Sequence, residues 1–342
     1  HSVKDLLQQG VQPDIIVCRT EHTLTESVRD KISLFCNIDR ASVIESIDAP
    51  TIYEVPFNML KEGLDIQVLK KLGISAKGEP DLEKWKSFLY KLKNPLTEVN
   101  IGLVGKYVEL KDAYKSISEA FIHAGAATQC KVKLKWIHSE KIEDNPGMIE
   151  EELKGLNGIL VAPGFGTRGI EGKIMAVRYA RENNIPFLGI CLGMQCAVIE
   201  FARNVLGYKD AHSVEMMAST KHPVIDMMEE QKHLTNMGGT MRLGAYPCKL
   251  KAGTKIMEAY QKELISERHR HRYEFNNAYL EEFEKAGMIA TGVNPDTNLV
   301  EVVEIPSHPY FVGVQYHPEY RSTVEEPSPL FVSFVEAANK KL

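Results

Sequence analysis

The predicted fold depends on one stretch of ten residues, Pro186-Phe187-Leu188-Gly189-Ile190-Cys191-Leu192-Gly193-Met194-Gln195. Residues 187–190 are apolar and predict a buried strand, and the residues after Cys191 are typical of a helix. Cys191 lies at the junction, with a glycine two positions to either side. This G-x-C-x-G pattern is the thiol form of a nucleophile elbow, in which a sharp strand-to-helix turn presents a reactive side chain.

Cys191 has the surroundings that a reactive thiol needs. Glycines permit the strained backbone and the close approach of neighbouring chain segments in such a turn. A helix N-terminus favours the thiolate over the thiol, and its free N–H groups can stabilise an oxyanion. The alternative is a structural cysteine in a glycine-rich turn. We assign that structural role to Cys196, which has no such glycine frame.

Strands and helices alternate on both sides of this turn. The predicted strands are residues 99–105, 129–137, 158–162, 187–190, 268–275, 299–305 and 310–316. The predicted helices are residues 113–124, 171–183 and 327–341. Such alternation is typical of an α/β protein with a mostly parallel sheet flanked by helices, and we predict that fold class.

Three segments are predicted along the chain. Residues 1–80 contain two strands, 14–18 and 42–47, and a helix, 25–35, which make a thin α/β unit. We expect this unit to be the C-terminal part of a larger domain, because it has few strands and no initiator Met. Residues 81–97 follow a Gly- and Pro-containing break and predict a linker with one helix. Residues 98–342 predict the second domain.

Composition excludes several classes of protein. Charged residues make up 25% of the 342 residues and the net charge is −5, so there is no global basic field for nucleic acid or an anionic membrane. No apolar run approaches the roughly 20 residues that span a bilayer. The six cysteines form no C-x-x-C pair and are sparse, which predicts free thiols, a cytoplasmic location and no metal centre.

A cysteine nucleophile needs a base, and His317 is the best-placed candidate. It follows the predicted strand 310–316 and precedes Pro318, which cannot continue a sheet ladder. Glu319 is two residues away, so both side chains would point to the same side of an extended segment. We therefore predict that His317 is the base and Glu319 its orienting carboxylate, with a random surface turn as the alternative.

The elbow and the His317-Pro318-Glu319 sequence together resemble the class I glutamine amidotransferase family. Five further stretches resemble one branch of it, the CTP synthase family. They are residues 161–169 (VAPGFGTRG), 238–244 (GGTMRLG), 267–274 (ERHRHRYE), 1–4 (HSVK) and 31–37 (KISLFCN). The resemblance covers essentially the whole chain. It implies that residues 1–80 are the C-terminal part of a synthetase (amidoligase) domain and that residues 98–342 are a glutaminase domain with the class I glutamine amidotransferase fold.

The resemblance implies a role for each site residue. Cys191 would attack the side-chain amide of glutamine and form a glutamyl thioester. His317 would act as general base and then protonate the leaving ammonia, and Glu319 would orient His317. The implied glutamine-binding residues are Gly164 (an oxyanion donor), Leu192, Gly193, Met194, Gln195, Glu215 for the α-amino group, and Arg272 for the α-carboxylate, which a fork-shaped guanidinium suits.

The chain departs from the family pattern at two places. The family's oxyanion loop is expected to read P-G-G-F-G, whereas residues 162–166 read APGFG, so a proline replaces the first glycine and removes one N–H donor. The implied nucleotide contacts are Lys31, Ile47, Asp48 and Ala49, of which only Asp48 is well matched. A plain surface role is the alternative for these four residues.

The resemblance also implies cofactors and partners. The full-length family enzyme uses ATP and Mg²⁺ to aminate UTP to CTP with ammonia from glutamine, and GTP activates it. We expect a homo-tetramer for that full-length enzyme. This chain has no GxxxxGK[ST] phosphate-binding loop, so we expect glutamine hydrolysis only, with no cofactor of its own. Residues 238–244 would form a mobile lid linked to GTP, with a plain loop as the alternative.

Two other functions stay open. One is a cysteine hydrolase of the γ-glutamyl peptidase type, and the other is an inactive regulatory or assembly module. Residues 267–272 alternate between two faces, with the arginines on one and His269 and His271 on the other. We interpret them as a basic strand that contacts glutamine or a nucleotide. A metal site on the two histidines and nucleic-acid binding are the minor alternatives.

Overall fold

The computed structural model describes residues 1–227 and 241–340, and residue contacts divide the chain into two units, His1–Leu89 and Tyr90–Leu342. The division falls inside the predicted linker 81–97, where one helix covers Glu83–Lys93. The boundaries of the three predicted segments remain predictions.

The first unit contains two parallel strands, β1 (Ile16–Thr20) and β2 (Val43–Ile47). Its helices are α1 (Ser2–Gln8), α2 (Glu26–Cys36), α3 (Val55–Lys61), α4 (Leu64–Leu72) and the first part of α5 (Glu83–Lys93). Thr25 caps α2 by accepting a hydrogen bond from the Val28 N–H, and Asn37 ends it in the left-handed conformation. The two strands and the helix predicted here are therefore present, with ends shifted by a few residues.

A nine-stranded sheet forms the centre of the second unit. A smaller, three-stranded sheet lies in the same unit. The strands of the two sheets are β3 (Thr97–Gly105), β4 (Cys130–His138), β5 (Gly158–Val161), β6 (Phe187–Ile190), β7 (His212–Ser213), β8 (Pro223–Met227), β9 (Arg242–Leu250), β10 (Leu264–His271), β11 (Tyr273–Phe275), β12 (Ile289–Val293), β13 (Val300–Glu304) and β14 (Phe311–Val314). The order in the large sheet is β10-β9-β12-β13-β14-β6-β5-β3-β4, and in the small sheet β11-β8-β7. The strands from β14 to β4 are parallel, and those from β10 to β14 are antiparallel.

Helices cover both faces of the large sheet. The helices of this unit are α6 (Lys115–Thr128), α7 (Ser139–Asp144), α8 (Ile149–Leu153), α9 (Ile170–Glu182), α10 (Leu192–Asn204), α11 (Lys255–Tyr260), α12 (Leu280–Ala286) and α13 (Pro329–Asn339). One half of the core includes α9 and α10, and the other includes α6 and α13. The predicted α/β class, a sheet flanked by helices, is confirmed. None of the described helices is long and apolar enough to cross a bilayer.

Three details differ from the prediction. Residues 268–275 are not one strand, because β10 ends at His271 and β11 begins at Tyr273 in the small sheet. Residues 242–244, predicted as part of a loop, begin β9 and pair with β10, while Gly238, Gly239 and Thr240 lie outside the described residues. Strands β7, β8, β9 and β12 have no predicted counterpart. In β9 the reason is physical, since Gly244 and Pro247 are residues typical of turns rather than strands.

Candidate active site

Cys191 lies in the sharp turn between β6 and α10. Its backbone has φ 52° and ψ −105°, a conformation that a residue with a side chain adopts only when its surroundings impose it. The Cys191 N–H donates to the carbonyl of Val314 on the neighbouring strand β14 over 2.7 Å, which fixes the turn to the sheet. The sulfur-bearing residue therefore stands at the N-terminus of a buried helix, in the geometry of a nucleophile elbow.

The two glycines beside Cys191 are required by close backbone contacts. A Cβ on Gly189 would lie 2.8 Å from the carbonyl carbon of Gly193. A Cβ on Gly193 would lie 2.1 Å from the carbonyl oxygen of Val161, at the end of β5. Only glycine lets α10 begin this close to the two central strands.

We expect Gly193→Ala to destabilise the protein by about 2–3 kcal/mol, because the added methyl group cannot be accommodated without moving the backbone of β5. Chemical denaturation measures the loss. The control is Gly147→Ala, where the added Cβ would meet only the Asn145 side chain at 3.4 Å. Equal stability of the two variants would contradict the packing argument.

His317 and Glu319 lie beside Cys191 because β14 is the parallel neighbour of β6. Val314 pairs with Ile190, so both chains leave the sheet at the same edge. His317 Nδ1 and Glu319 Oε1 are 2.8 Å apart, and both side chains are buried. The contact arises through a 3₁₀ turn over Pro318–Arg321 rather than through the extended segment that was expected. The carboxylate thus selects the tautomer with the proton on Nδ1.

The imidazole of His317 interacts electrostatically with Cys191. Its Nε2 is buried and has no hydrogen-bond partner among the described residues, whereas the imidazole as a group interacts with Cys191. Burial alone would lower the pKa of His317. The hydrogen bonds and negative charges of Cys191 and Glu319 outweigh burial and raise this pKa to about 10. The imidazole of His317 is therefore protonated at neutral pH.

The raised pKa of His317 predicts a pH-dependent stability. A group whose pKa is higher in the folded than in the unfolded protein contributes stability that is complete below the unfolded pKa, near 6.5, and disappears as the pH rises through about 10. We therefore expect the difference in unfolding free energy between the unmodified protein and His317→Gln to shrink from pH 7 to pH 10. Denaturation at both pH values measures it, and a constant or growing difference would disprove the ion pair.

Two glutamine side chains, Gln195 and Gln315, connect the nucleophile to the small sheet. Gln315 Nε2 lies 3.6 Å from Cys191 Sγ and can donate to it. Gln195 Nε2 donates to Gln315 Oε1 over 3.2 Å and to the Tyr273 carbonyl over 2.9 Å. Sequence analysis missed Gln315. The only signal was that Gln315, two positions before His317, is a polar residue in the otherwise apolar predicted strand 310–316.

A small cleft opens beside Cys191. Its lining consists of Gly164, Phe165, Cys191, Gln195, Glu215, Met241, His271, Arg272 and Tyr273. Four of the predicted glutamine-binding residues, Gly164, Gln195, Glu215 and Arg272, are among them. Phe165, Met241, His271 and Tyr273 were not predicted.

Three further predicted glutamine-binding residues lie in the first turn of α10 but do not line this cleft. The side chain of Met194 packs against Gly313 in the core, and Gly193 touches the backbone of β5. The side chain of Leu192 lies next to Gly164. Their contribution to a site would therefore come from backbone N–H groups, which the first turn of a helix leaves without intrahelical partners.

The predicted nucleotide-binding residues lie in the first unit. Lys31 is an exposed residue of α2, and Ile47 is the last residue of β2. Asp48 and Ala49 follow directly, and Asp48 forms an exposed ion pair of 3.1 Å with Arg19. Their role as nucleotide contacts stays a prediction.

A cluster of buried ionisable side chains, Arg242, His269, His271, Glu274 and Glu301, adjoins the cleft. Arg242 Nη1 donates to Glu301 over 2.7 Å and to Glu274 over 3.4 Å, and His269 Nδ1 lies 2.8 Å from His271 Nε2. Burial is the main cause that lowers the pKa of both histidines, so they are neutral. The next cause is the neighbouring His271 for His269 and the charge of Arg242 for His271. Among the described residues, no group of three or more His, Cys, Asp or Glu side chains is arranged to hold a metal ion.

Comparison with known proteins places the chain in a family. The family model "Glutamine amidotransferase class-I" matches residues 109–337, and the model "CTP synthase N-terminus" matches residues 1–74. The structure is similar to the glutaminase domain of a Trypanosoma brucei CTPS with bound acivicin, with a TM-score of 0.67 and 40% identity, covering 71% of this chain and 94% of that one.

Two bacterial relatives match almost the whole chain. They are the CTP synthases of Cytophaga hutchinsonii, 66% identical over 99% of this chain, and Flavobacterium johnsoniae, 62% identical over 99% of it. The chain spans 62% and 63% of the length of these relatives. The chain therefore belongs to the class I glutamine amidotransferase family and, within it, to the CTP synthases.

Proposed function

We propose that this chain hydrolyses glutamine to glutamate and ammonia at Cys191. The observation that carries the proposal is the arrangement of Cys191, His317 and Glu319: a thiol at a strained helix N-terminus, a buried imidazole that interacts with it, and a carboxylate 2.8 Å from the other ring nitrogen. This is the nucleophile, base and orienting group that acyl transfer requires.

The reaction follows from these positions. The Cys191 thiolate attacks the side-chain carbonyl carbon of glutamine, and the carbonyl oxygen becomes an oxyanion. Backbone N–H groups stabilise the negative charge of this oxyanion by hydrogen bonding. The N–H of Leu192 and the N–H of Gly164 are the candidate donors. Collapse of this intermediate breaks the C–N bond, and ammonia leaves with a proton from His317.

The second half of the reaction regenerates the enzyme. His317, now neutral, removes a proton from water, and the resulting hydroxide attacks the thioester carbon. The C–S bond breaks, glutamate leaves, and the thiolate is restored beside the imidazolium. Glu319 keeps Nδ1 protonated throughout, so Nε2 is always the nitrogen that exchanges the proton.

Charged residues of the cleft suit the ends of a glutamine molecule. Arg272 and Glu215 both line it, one matched to an α-carboxylate and the other to an α-amino group. Glu215 is held by the Gly166 N–H over 3.3 Å. These two charges favour a free amino acid over a peptide interior.

We further propose that this ammonia is used for the ATP-dependent amination of UTP to CTP. The similarity of this chain to CTP synthases supports the proposal. In that enzyme Lys31, Ile47, Asp48 and Ala49 would contact nucleotides, GTP would activate, and the assembly would be a homo-tetramer. No group of His, Cys, Asp or Glu side chains among the described residues is arranged to hold Mg²⁺.

A chloroketone analogue of glutamine tests the proposal. We expect one covalent adduct by intact-mass analysis, peptide mapping to Cys191, and protection by free glutamine. The five other cysteines are internal controls, since they are free thiols in the same protein and meet the same reagent. Labelling elsewhere, or faster cleavage of γ-glutamyl peptides than of glutamine, would favour another cysteine hydrolase. Absence of both labelling and ammonia release would favour a regulatory module.

A further inference from the structure

Two lysine side chains hold the loop 162–166, which carries Gly164. Lys173, from α9, donates from Nζ to the Ala162 carbonyl over 2.6 Å. Lys106, which follows β3, donates to the Phe165 carbonyl and, over 3.0 Å, to the Gly166 carbonyl. Three of the five carbonyls in this loop therefore accept from an ammonium group.

The position of Lys173 is unusual for a charged side chain. It is fully buried in the half of the core that covers one face of the sheet. Among residues 1–227 and 241–340, no carboxylate forms an ion pair with it, so its charge is compensated mainly by carbonyl dipoles. Burying an ammonium group is unfavourable unless it is well hydrogen-bonded, and burial accordingly lowers the pKa of Lys173 to about 8. Because this pKa is still above 7, the Lys173 ammonium group remains mostly protonated at neutral pH.

The contact of Lys173 restricts the direction of the Gly164 N–H. A peptide group is planar, so fixing the Ala162 carbonyl fixes the whole peptide that joins Ala162 to Pro163. The ring of Pro163 then fixes φ of that residue. Only ψ of Pro163 remains free before the peptide that bears the Gly164 N–H. The proline that departs from the family's glycine pair thus stiffens the loop rather than weakening it.

The contact of Lys106 acts on the other end of the loop in the same way. Holding the Phe165 carbonyl fixes the opposite N–H of that peptide, which belongs to Gly166. This N–H donates to Glu215 Oε1 over 3.3 Å. Lys106 therefore positions the carboxylate matched to the α-amino group of the substrate, while Lys173 acts on the oxyanion end.

We propose that Lys173 and Lys106 are positioning residues of the glutaminase site, Lys173 orienting the Gly164 N–H toward the developing oxyanion and Lys106 holding Gly166 and Glu215 for the substrate. The inference rests on the proposed glutaminase function. Gly164 is adjacent to both the lysine and the elbow: a Cβ at Gly164 would lie 3.7 Å from Lys173 Nζ and 3.5 Å from the Leu192 side chain. The Gly164 N–H has no acceptor within the described part of the chain, as an oxyanion donor requires.

Lys173→Met tests the oxyanion end, because methionine keeps the apolar stem and removes the donor. We expect kcat for ammonia release to fall about 100-fold, the effect of a misplacement of about 1 Å at a reacting group, with little change in KM. Alkylation of Cys191 by iodoacetamide should keep its rate, because it needs the thiolate but no oxyanion donor. If alkylation slowed in parallel with kcat, Lys173 would act on the thiolate and the proposal would be wrong.

Arg181→Met is the matched control for loss of a cation from the same helix. Arg181 pairs with the buried Glu200 over 2.7 Å, at a distance from the elbow, so this variant should lose thermal stability but keep kcat. A kcat of Lys173→Met equal to that of Arg181→Met would overturn the proposal for Lys173.

Lys106→Met tests the substrate-binding end of the loop independently. It also keeps the proposal testable if Lys173→Met does not fold. We expect KM for glutamine to rise about tenfold, since a hydrogen bond to a charged group is worth about 1.5–3 kcal/mol, with a smaller effect on kcat. An unchanged KM would refute the role of Lys106. Absence of ammonia release by the unmodified chain would instead refute the proposed function itself, so the two failures are distinguishable.

Discussion

Replacement of Cys191 by alanine is expected to reduce ammonia release from glutamine by a factor of about 10⁴ to 10⁶, the range found when a covalent nucleophile is removed. The thioester cannot form without the sulfur, and the remaining N–H groups and charges of the cleft only bind substrate. Glutamate formation measured under saturating glutamine gives kcat directly. KM should change little, because Arg272 and Glu215 remain in the cleft.

Cys196→Ala is the matched control for this prediction. Cys196 lies on the same helix, five residues after Cys191, and is fully buried. Burial raises its pKa to about 12, so it stays a thiol at neutral pH. We expect activity close to that of the unmodified chain and a modest loss of stability. Full activity of Cys191→Ala, or inactivity of Cys196→Ala alone, would remove the basis for the assigned nucleophile.

The elbow was predictable from sequence because its determinants are local. An apolar run, a cysteine and two glycines specify a strand, a strained residue and a tight helix start within ten positions. The 3.6-residue and two-residue periodicities likewise located most helices and strands of the parallel half of the sheet. On β10 the alternation correctly separated His269 from Arg268 and Arg270, but it did not indicate that the histidine face is the buried one.

The break at Arg272 was not predictable in the same way. The alternation of residues 267–275 continues across it, although β10 and β11 belong to different sheets. Periodicity reports which face a side chain occupies but not which strand it pairs with. The consequence is functional, because the break lets Arg272 and Tyr273 line the cleft.

Buried polar residues were the other class that sequence did not reveal. Lys173 occurs in a helix with charged neighbours, where a lysine normally faces water. In the folded protein it is fully buried and donates to the Ala162 carbonyl, and the preceding Gly172 packs α9 against α7, where a Cβ would lie 1.9 Å from the Ser139 carbonyl oxygen. Gln315 depends similarly on a contact with Cys191, 124 residues away. Such contacts depend on the packing of distant elements, which no local pattern encodes.

The largest expected effect on stability is that of Arg242→Met. Arg242 is the cation of the buried cluster, and Glu301 and Glu274 are both within hydrogen-bond distance of it. Removing one partner of a buried ion pair leaves an uncompensated charge and typically costs about 3–5 kcal/mol. We expect a loss of that size at pH 8, measured by chemical denaturation.

The loss should be smaller at pH 6. Burial raises the pKa of Glu301 to about 7 and that of Glu274 to about 8, and Arg242 opposes this shift. A carboxyl group whose pKa is higher when folded loses stability as the pH rises from the unfolded pKa, near 4.5, through the folded one. Without Arg242 these pKa values rise further, so at pH 6 the carboxyls take up protons and the destabilisation diminishes.

A second substitution separates loss of charge balance from loss of packing. Glu301→Gln removes one buried negative charge, so Arg242→Met combined with Glu301→Gln should be more stable than Arg242→Met alone at pH 8. Arg178→Met, which breaks only an exposed pair with Glu182, should cost no more than about 0.5 kcal/mol. A loss that is independent of pH and not relieved in the double variant would show that Arg242 stabilises this edge of the cleft through the packing of its side chain against Tyr246. The charge of the cluster would then have no measurable part in holding β9 and β10 beside the site.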